Sequence, residues 1–64
     1  MKTAIKELII TSVKAKDSVR VGKITDMLRF KYGLNYQDIF DLFNELTDIN
    51  EADFEQLLYI SETY

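Results

Sequence analysis

The sequence has no cysteine, histidine, tryptophan or proline, and only two glycines among its 64 residues. Each absence removes a class of chemistry. Without Cys or His there can be no disulfide, no thiolate zinc site and no imidazole ligand. Nucleophilic triads need a base beside the nucleophile, usually His, so carboxylates, Lys, Tyr and hydroxyls are all that remain. Gly22 and Gly33 stand eleven residues apart, so no glycine-rich phosphate loop can be written. Apolar runs reach only four residues, as in Leu57-Leu58-Tyr59-Ile60, far short of a membrane span. Lys6 and Glu7 interrupt any signal-peptide apolar stretch near Met1, and a cytoplasmic location is expected. The chain reads as a non-enzyme with no cofactor and no metal.

At this length there is room for one domain, 1–64. Such a domain buries only about 60% of its unfolded surface and is marginally stable. Stability must then come from a well-packed core or from a partner. Apolar residues make up 47% of the chain, enough for a core and too many for a disordered segment.

The net charge of −3 conceals a division. Residues 1–32 hold all eight cations and three acids, a net of +5. Residues 33–64 hold eight acids and no cation, a net of −8. The plain expectation is that the halves fold against each other and partly neutralise. The alternative is a charged interaction face on each half.

The apolar spacing predicts an all-α fold, a compact bundle of three or four helices with a helix-turn-helix-like core. The helices are expected at about 3–16, 21–32, 36–46 and 51–61. In the first, Ile5, Leu8, Ile9, Ser12 and Val13 follow period 3.6, although the β-branched stretch 9–13 leaves a hairpin open. In the second, Ile24, Met27 and Leu28 keep the spacing, and Gly33 suits a left-handed residue after the helix end. Its start is open: Ser18 can cap, or 19–21 can be extended. Asn35 and Asn50 are expected N-caps, each with an acid three residues later, Asp38 and Asp53. Leu34 with Ile39, and Ile49 with Phe54, occupy staple positions. The expected core is Ile5, Leu8, Ile9, Val13, Ile24, Met27, Leu28, Leu34, Ile39, Leu42, Phe43, Leu46, Ile49, Phe54, Leu57 and Leu58.

Ile10, Phe30, Tyr36, Phe40, Tyr59, Ile60 and Tyr64 are then left over. A surplus this large predicts a binding or self-association patch. Asp38, Asp41, Glu45 and Asp48 fall at i, i+3, i+7 and i+10, a single stripe, and Glu51, Glu55 and Glu62 form a second. Carboxylates spaced this way rise about 5 Å apart, near the spacing of phosphates along a strand. A calcium loop beginning at Asp48 fails, with Ala52 at its fifth position, Asp53 at its sixth and Tyr59 at its twelfth.

Ile24-x-x-Met27-Leu28, Gly33-Leu34-Asn35 and Ile39-x-x-Leu42-Phe43 form the apolar skeleton of a helix-turn-helix. As a DNA reader its second helix would expose Tyr36, Gln37, Asp38, Asp41, Asn44 and Glu45. Three carboxylates facing phosphates are repulsive, so that mode is disfavoured. Contact through Lys14, Lys16, Arg20 and Lys23 is the remaining nucleic-acid mode.

Ile24-Thr25-Asp26-Met27-Leu28 followed by the run Asp38–Leu46 resembles the small acidic N-terminal domain, region 1.1, of bacterial primary sigma factors, over about residues 5–46. The resemblance implies a compact helical fold that occupies a polymerase channel as a nucleic-acid competitor. Asp38, Asp41 and Glu45 would be its acidic face. The basic first half and the helix at 51–61 depart from that family.

The expected function is a protein-interaction module, a small regulator or inhibitor of a larger protein. Tyr36, Phe40 and Tyr59 would anchor the contact, and Asp38, Asp41 and Glu45 would steer it. A homo-oligomer is a second expectation. The alternatives are a DNA-binding regulator acting through 14–31 and an acidic DNA mimic that inhibits a nucleic-acid enzyme. The Ile, Lys, Asn and Tyr usage suits an AT-rich genome, such as those of many phages.

Overall fold

In the computed structural model, backbone is described for residues 3–63 and side chains for residues 3–59. Ile60, Glu62 and Tyr64, named above, and Lys2, one of the eight cations, lie outside the described side chains. Four helices follow in order: α1 (Thr3–Lys14), α2 (Ser18–Phe30), α3 (Tyr36–Thr47) and α4 (Glu51–Thr63). The radius of gyration is 10.5 Å, against about 10.7 Å for a compact chain of this size. No described helix is long and apolar enough to cross a membrane. The all-α bundle is as the apolar spacing predicts.

Both ambiguous stretches are helical. In α1 the buried residues are Ile5, Ile9 and Ser12. The Ser12 hydroxyl donates to the Ile9 carbonyl at 2.9 Å, so the inward polar group is satisfied within the helix. Burial of one face thus overrides the β-branched preference of 9–13. This geometry also corrects the expected core. Leu8 is 42% exposed while Ser12 is 1% exposed, because the inward face is centred between Ile5, Ile9 and Ser12.

Helix α1 ends two residues earlier than expected. Lys16 takes φ 52°, a left-handed conformation. Its N–H donates to Val13 O at 3.0 Å, and the Asp17 N–H donates to Ser12 O at 2.9 Å. That pair of bonds is a Schellman motif closing the helix end. Asp17, not Ser18, then caps α2, accepting from the Arg20 N–H at 3.1 Å. The early cap carries 19–21 into the first turn and places Val21, missing from the expected core, at full burial.

The later caps fall where the sequence put them. Asn35 accepts from the Asp38 N–H at 2.9 Å, and Asn50 from the Asp53 N–H at 2.8 Å. Gly33 has φ 70°, and the Leu34 N–H returns to Leu28 O at 3.1 Å. Helix α3 runs one residue further than expected, to Thr47, whose hydroxyl donates to Phe43 O at 2.7 Å. Asp48 caps it in the left-handed region, φ 61°. The Asn44 side chain donates to Ile49 O at 2.9 Å and braces the turn into α4.

The core joins Ile5 and Ile9 of α1, Val21, Ile24 and Leu28 of α2, Ile39 and Phe43 of α3, Ile49 and Phe54. Phe54 is fully buried. Three rings of α3, at i, i+4 and i+7, tilt onto it: Tyr36 at 5.8 Å, Phe40 at 5.6 Å and Phe43 at 4.9 Å between centroids. Tyr36 and Phe40 are therefore half-buried core neighbours, not spare rings. The i, i+4 pairing that set them on one face aims that face at α4.

Three residues in the left-handed region close turns: Lys16, Gly33 and Asp48. A side chain there costs roughly 1–2 kcal/mol, partly offset by the extra unfolded-state entropy of Gly. Gly33→Ala is therefore expected to destabilise by about 1 kcal/mol through strain, since open space surrounds the position of its would-be Cβ. Lys16→Gly and Asp48→Gly are expected to stabilise by about 0.5–1 kcal/mol. Asp48→Gly also removes an acid from a helix C-terminus, so part of its gain should fade with salt. Thermal unfolding at two salt concentrations checks the signs, and a stabilising Gly33→Ala would contradict them.

Candidate interaction surface

Helix α3 is divided lengthwise. One side carries Tyr36, Ile39, Phe40 and Phe43 into the core. The opposite side exposes Asp38, Asp41 and Glu45, at the i, i+3, i+7 spacing of one stripe. Asp48 does not continue that stripe in helical geometry, because it is the left-handed cap beyond Thr47. Asp41 accepts from the Gln37 side chain at 2.8 Å. On α4, Glu51, Asp53 and Glu55 are exposed. Glu51 and Asp53 lie in its first turn, where the helix dipole favours negative charge.

Among the described residues, the expected neutralisation between halves does not occur through ion pairs. Among the described residues the one salt bridge is Arg20–Asp17, 3.8 Å apart and local to the α2 cap. Lys6, Lys14, Lys16, Lys23, Arg29 and Lys31 are all exposed. The seven described acids of residues 33–59 are exposed as well. Long exposed side chains gain little from pairing, so the apolar core decides the fold and leaves both charge sets in water.

The rings expected to anchor a partner separate into two kinds. Tyr59 is 70% exposed on α4, beside a shallow hollow lined by Ala52, Glu55, Gln56 and Leu58. Tyr36 and Phe40 are half-buried against the core. The Tyr36 hydroxyl donates to Glu55 Oε1 at 3.2 Å and ties α3 to α4. A second groove of about 370 Å³ lies between the α1–α2 turn and α4, with Val13, Ile49 and Leu57 among its walls and Lys16 and Asp53 among its polar groups.

The cations expected to touch nucleic acid, Lys14, Lys16, Arg20 and Lys23, are exposed around the α1–α2 turn and the first half of α2. A tighter cluster escaped the sequence reading. Arg29, Phe30, Lys31 and Tyr32 are all exposed at the end of α2, with Phe30 at 79% and Tyr32 at 45%. The alternation of cation and ring was the available signal.

Burial, then the charges of Glu55 and Glu51 and the bond to Glu55, raise the Tyr36 pKa above its ordinary 10.0. The folded state therefore holds this proton more tightly than the unfolded chain. Its stabilising contribution is complete below pH 10 and is lost as pH rises through the folded value. Urea unfolding of wild type and Tyr36→Phe between about pH 8 and pH 11 should show the steeper alkaline loss in wild type. Parallel curves would contradict the bond as a stabilising contact.

Compared with family models, curated proteins and solved structures, the chain has no significant match.

Proposed function

We propose that this chain is a non-enzymatic helical binding module, a small regulator or inhibitor that docks on a larger protein through the outer side of α3 and the adjoining surface of α4. The observation that carries this reading is the separation of charge. Seven described carboxylates of the second half are exposed with no salt bridge among the described residues, and one of them, Glu55, shares a shallow hollow with Tyr59, whose ring is 70% exposed. An apolar anchor supplies affinity by leaving water, and a surrounding field of one sign steers encounter and rejects wrong partners. Asp38, Asp41 and Glu45 steer, Tyr59 anchors, and Tyr36 and Phe40 extend the contact.

A second reading, an acidic mimic of nucleic acid, is favoured by the stripe itself. Asp38, Asp41 and Glu45 rise in steps of about 4.5–6 Å along the α3 axis. The resemblance to sigma factor region 1.1 suits this reading. A DNA reader acting through Lys14, Lys16, Arg20 and Lys23 has less support, because the acidic half of the same small domain repels phosphate.

Affinity capture tests the docking surface. Truncating Tyr36 or Phe40 would disturb the packing on Phe54, so the informative variant is Asp41→Asn/Glu45→Gln/Tyr59→Ala, which alters exposed positions only. Wild type is expected to recover partners that this variant loses at least about tenfold, a change worth roughly 1.4 kcal/mol. Equal recovery by both would sink the proposed surface. Competitor duplex DNA separates the readings, since a mimic's target is released by DNA and an ordinary partner is retained.

A further inference from the structure

The exposed end of α2 is the feature least explained by the fold. Cations in a last helical turn complement the dipole, which accounts for Arg29 and Lys31. It does not account for Phe30, the most exposed of the described large apolar side chains at 79%, nor for the half-open Tyr32 next to it. A basic rim around an apolar ring calls for a receptor with acidic groups beside apolar area.

The same chain carries the acidic part of that receptor. The outer side of α3 presents Asp38, Asp41 and Glu45, and Tyr36 and Phe40 lie on the same helix, half-buried. No salt bridge joins the two surfaces within one molecule among the described residues. A strand of nucleic acid would satisfy the cations and could stack on Phe30, but it would meet the repulsion of a chain of net charge −3. A second copy offers complementary charge on the outer side of α3.

We propose that Arg29, Phe30, Lys31 and Tyr32 of one copy dock on the Asp38–Asp41–Glu45 side of α3 in a second copy. The contact joins unlike surfaces, so it either repeats into open chains or closes on itself when two copies exchange ends. It rests on the acidic side of α3 being a docking surface, and it competes there with the larger partner. Self-association therefore stores the module in a form that a partner must displace.

Sedimentation equilibrium tests this on the intact chain. At about 20 mM salt the average mass of wild type should rise above 7.5 kDa with protein concentration, and the association should weaken at least about tenfold near 300 mM salt. Arg29→Glu/Lys31→Glu and Asp41→Lys/Glu45→Lys should each stay monomeric, and an equimolar mixture should associate, because the swap restores opposite charge. Phe30→Ser should weaken association at every salt concentration. Circular dichroism checks that each variant remains helical. Wild type monomeric throughout, or the charge variants associating as wild type does, would overturn the proposal. So would a monomeric wild type that binds a labelled oligothymidine through Arg29 and Lys31. Partner capture that persists with Phe30→Ser, beside a monomeric wild type, would sink self-association alone and leave the partner reading standing. Capture insensitive to Asp41→Lys/Glu45→Lys would remove the α3 surface from both.

Discussion

Three rings of α3 packed on Phe54 dock the last helix and fix which surfaces face water. Phe54 is the fourth residue of α4 and is fully buried. Tyr36, Phe40 and Phe43 surround it at 4.9–5.8 Å between centroids. Burying a Phe side chain contributes about 1.5–3 kcal/mol, and each tilted ring pair about 0.5–1.5 kcal/mol more. A chain of 64 residues has a total stability of only roughly 3–10 kcal/mol. One cluster thus supplies a large share of the margin. It also holds α4 against α3 and presents the Asp41 side of α3 and the Tyr59 side of α4 to water.

Electrostatics plays the opposite part. The chain divides into a basic and an acidic half, yet one local salt bridge is all that forms among the described residues. The halves are joined by apolar packing, and their charges remain outside. Charge that contributes little to the fold is available for association. The anionic surface of α3 and α4, and the basic end of α2 with its exposed Phe30, follow from this one arrangement. Turn positions show a similar economy: Lys16 and Asp48 accept left-handed conformations that glycine would adopt more cheaply.

Local signals were legible in the sequence where one residue type has one physical use. Asn35, Asn50 and Gly33 announced their positions because few residues cap a helix or take positive φ at low cost. Period 3.6 located all four helices. Signals that depend on how faces meet were not legible. Leu8 and Ser12 both fit the helical period of α1, and only the packing of the other helices selects Ser12 for the inside. Tyr36 and Phe40 look surplus in the sequence because only the fold brings Phe54, ten or more residues away, to face them. Asp17 does not stand out as a cap, because nothing in the sequence stops α1 at Lys14. In the candidate site, Asp38, Asp41, Glu45, Tyr59 and Phe30 lie exposed as the spacing implies, whereas the grouping of Phe30 with Arg29, Lys31 and Tyr32 at one helix end depends on where α2 stops.

Urea unfolding of Phe54→Ala, with Phe30→Ala as the exposed-ring control at micromolar concentration, tests most directly whether the fold depends on the rings packed around Phe54. Loss of a buried Phe costs about 3–5 kcal/mol, and at about 1 kcal/mol per molar urea for so small a protein the midpoint should fall by roughly 3 M or more. Phe54→Ala is thus expected to be largely unfolded without denaturant or nearly so, while Phe30→Ala stays close to wild type. A Phe54→Ala midpoint within about 1 M of wild type, at unchanged slope, would contradict the account.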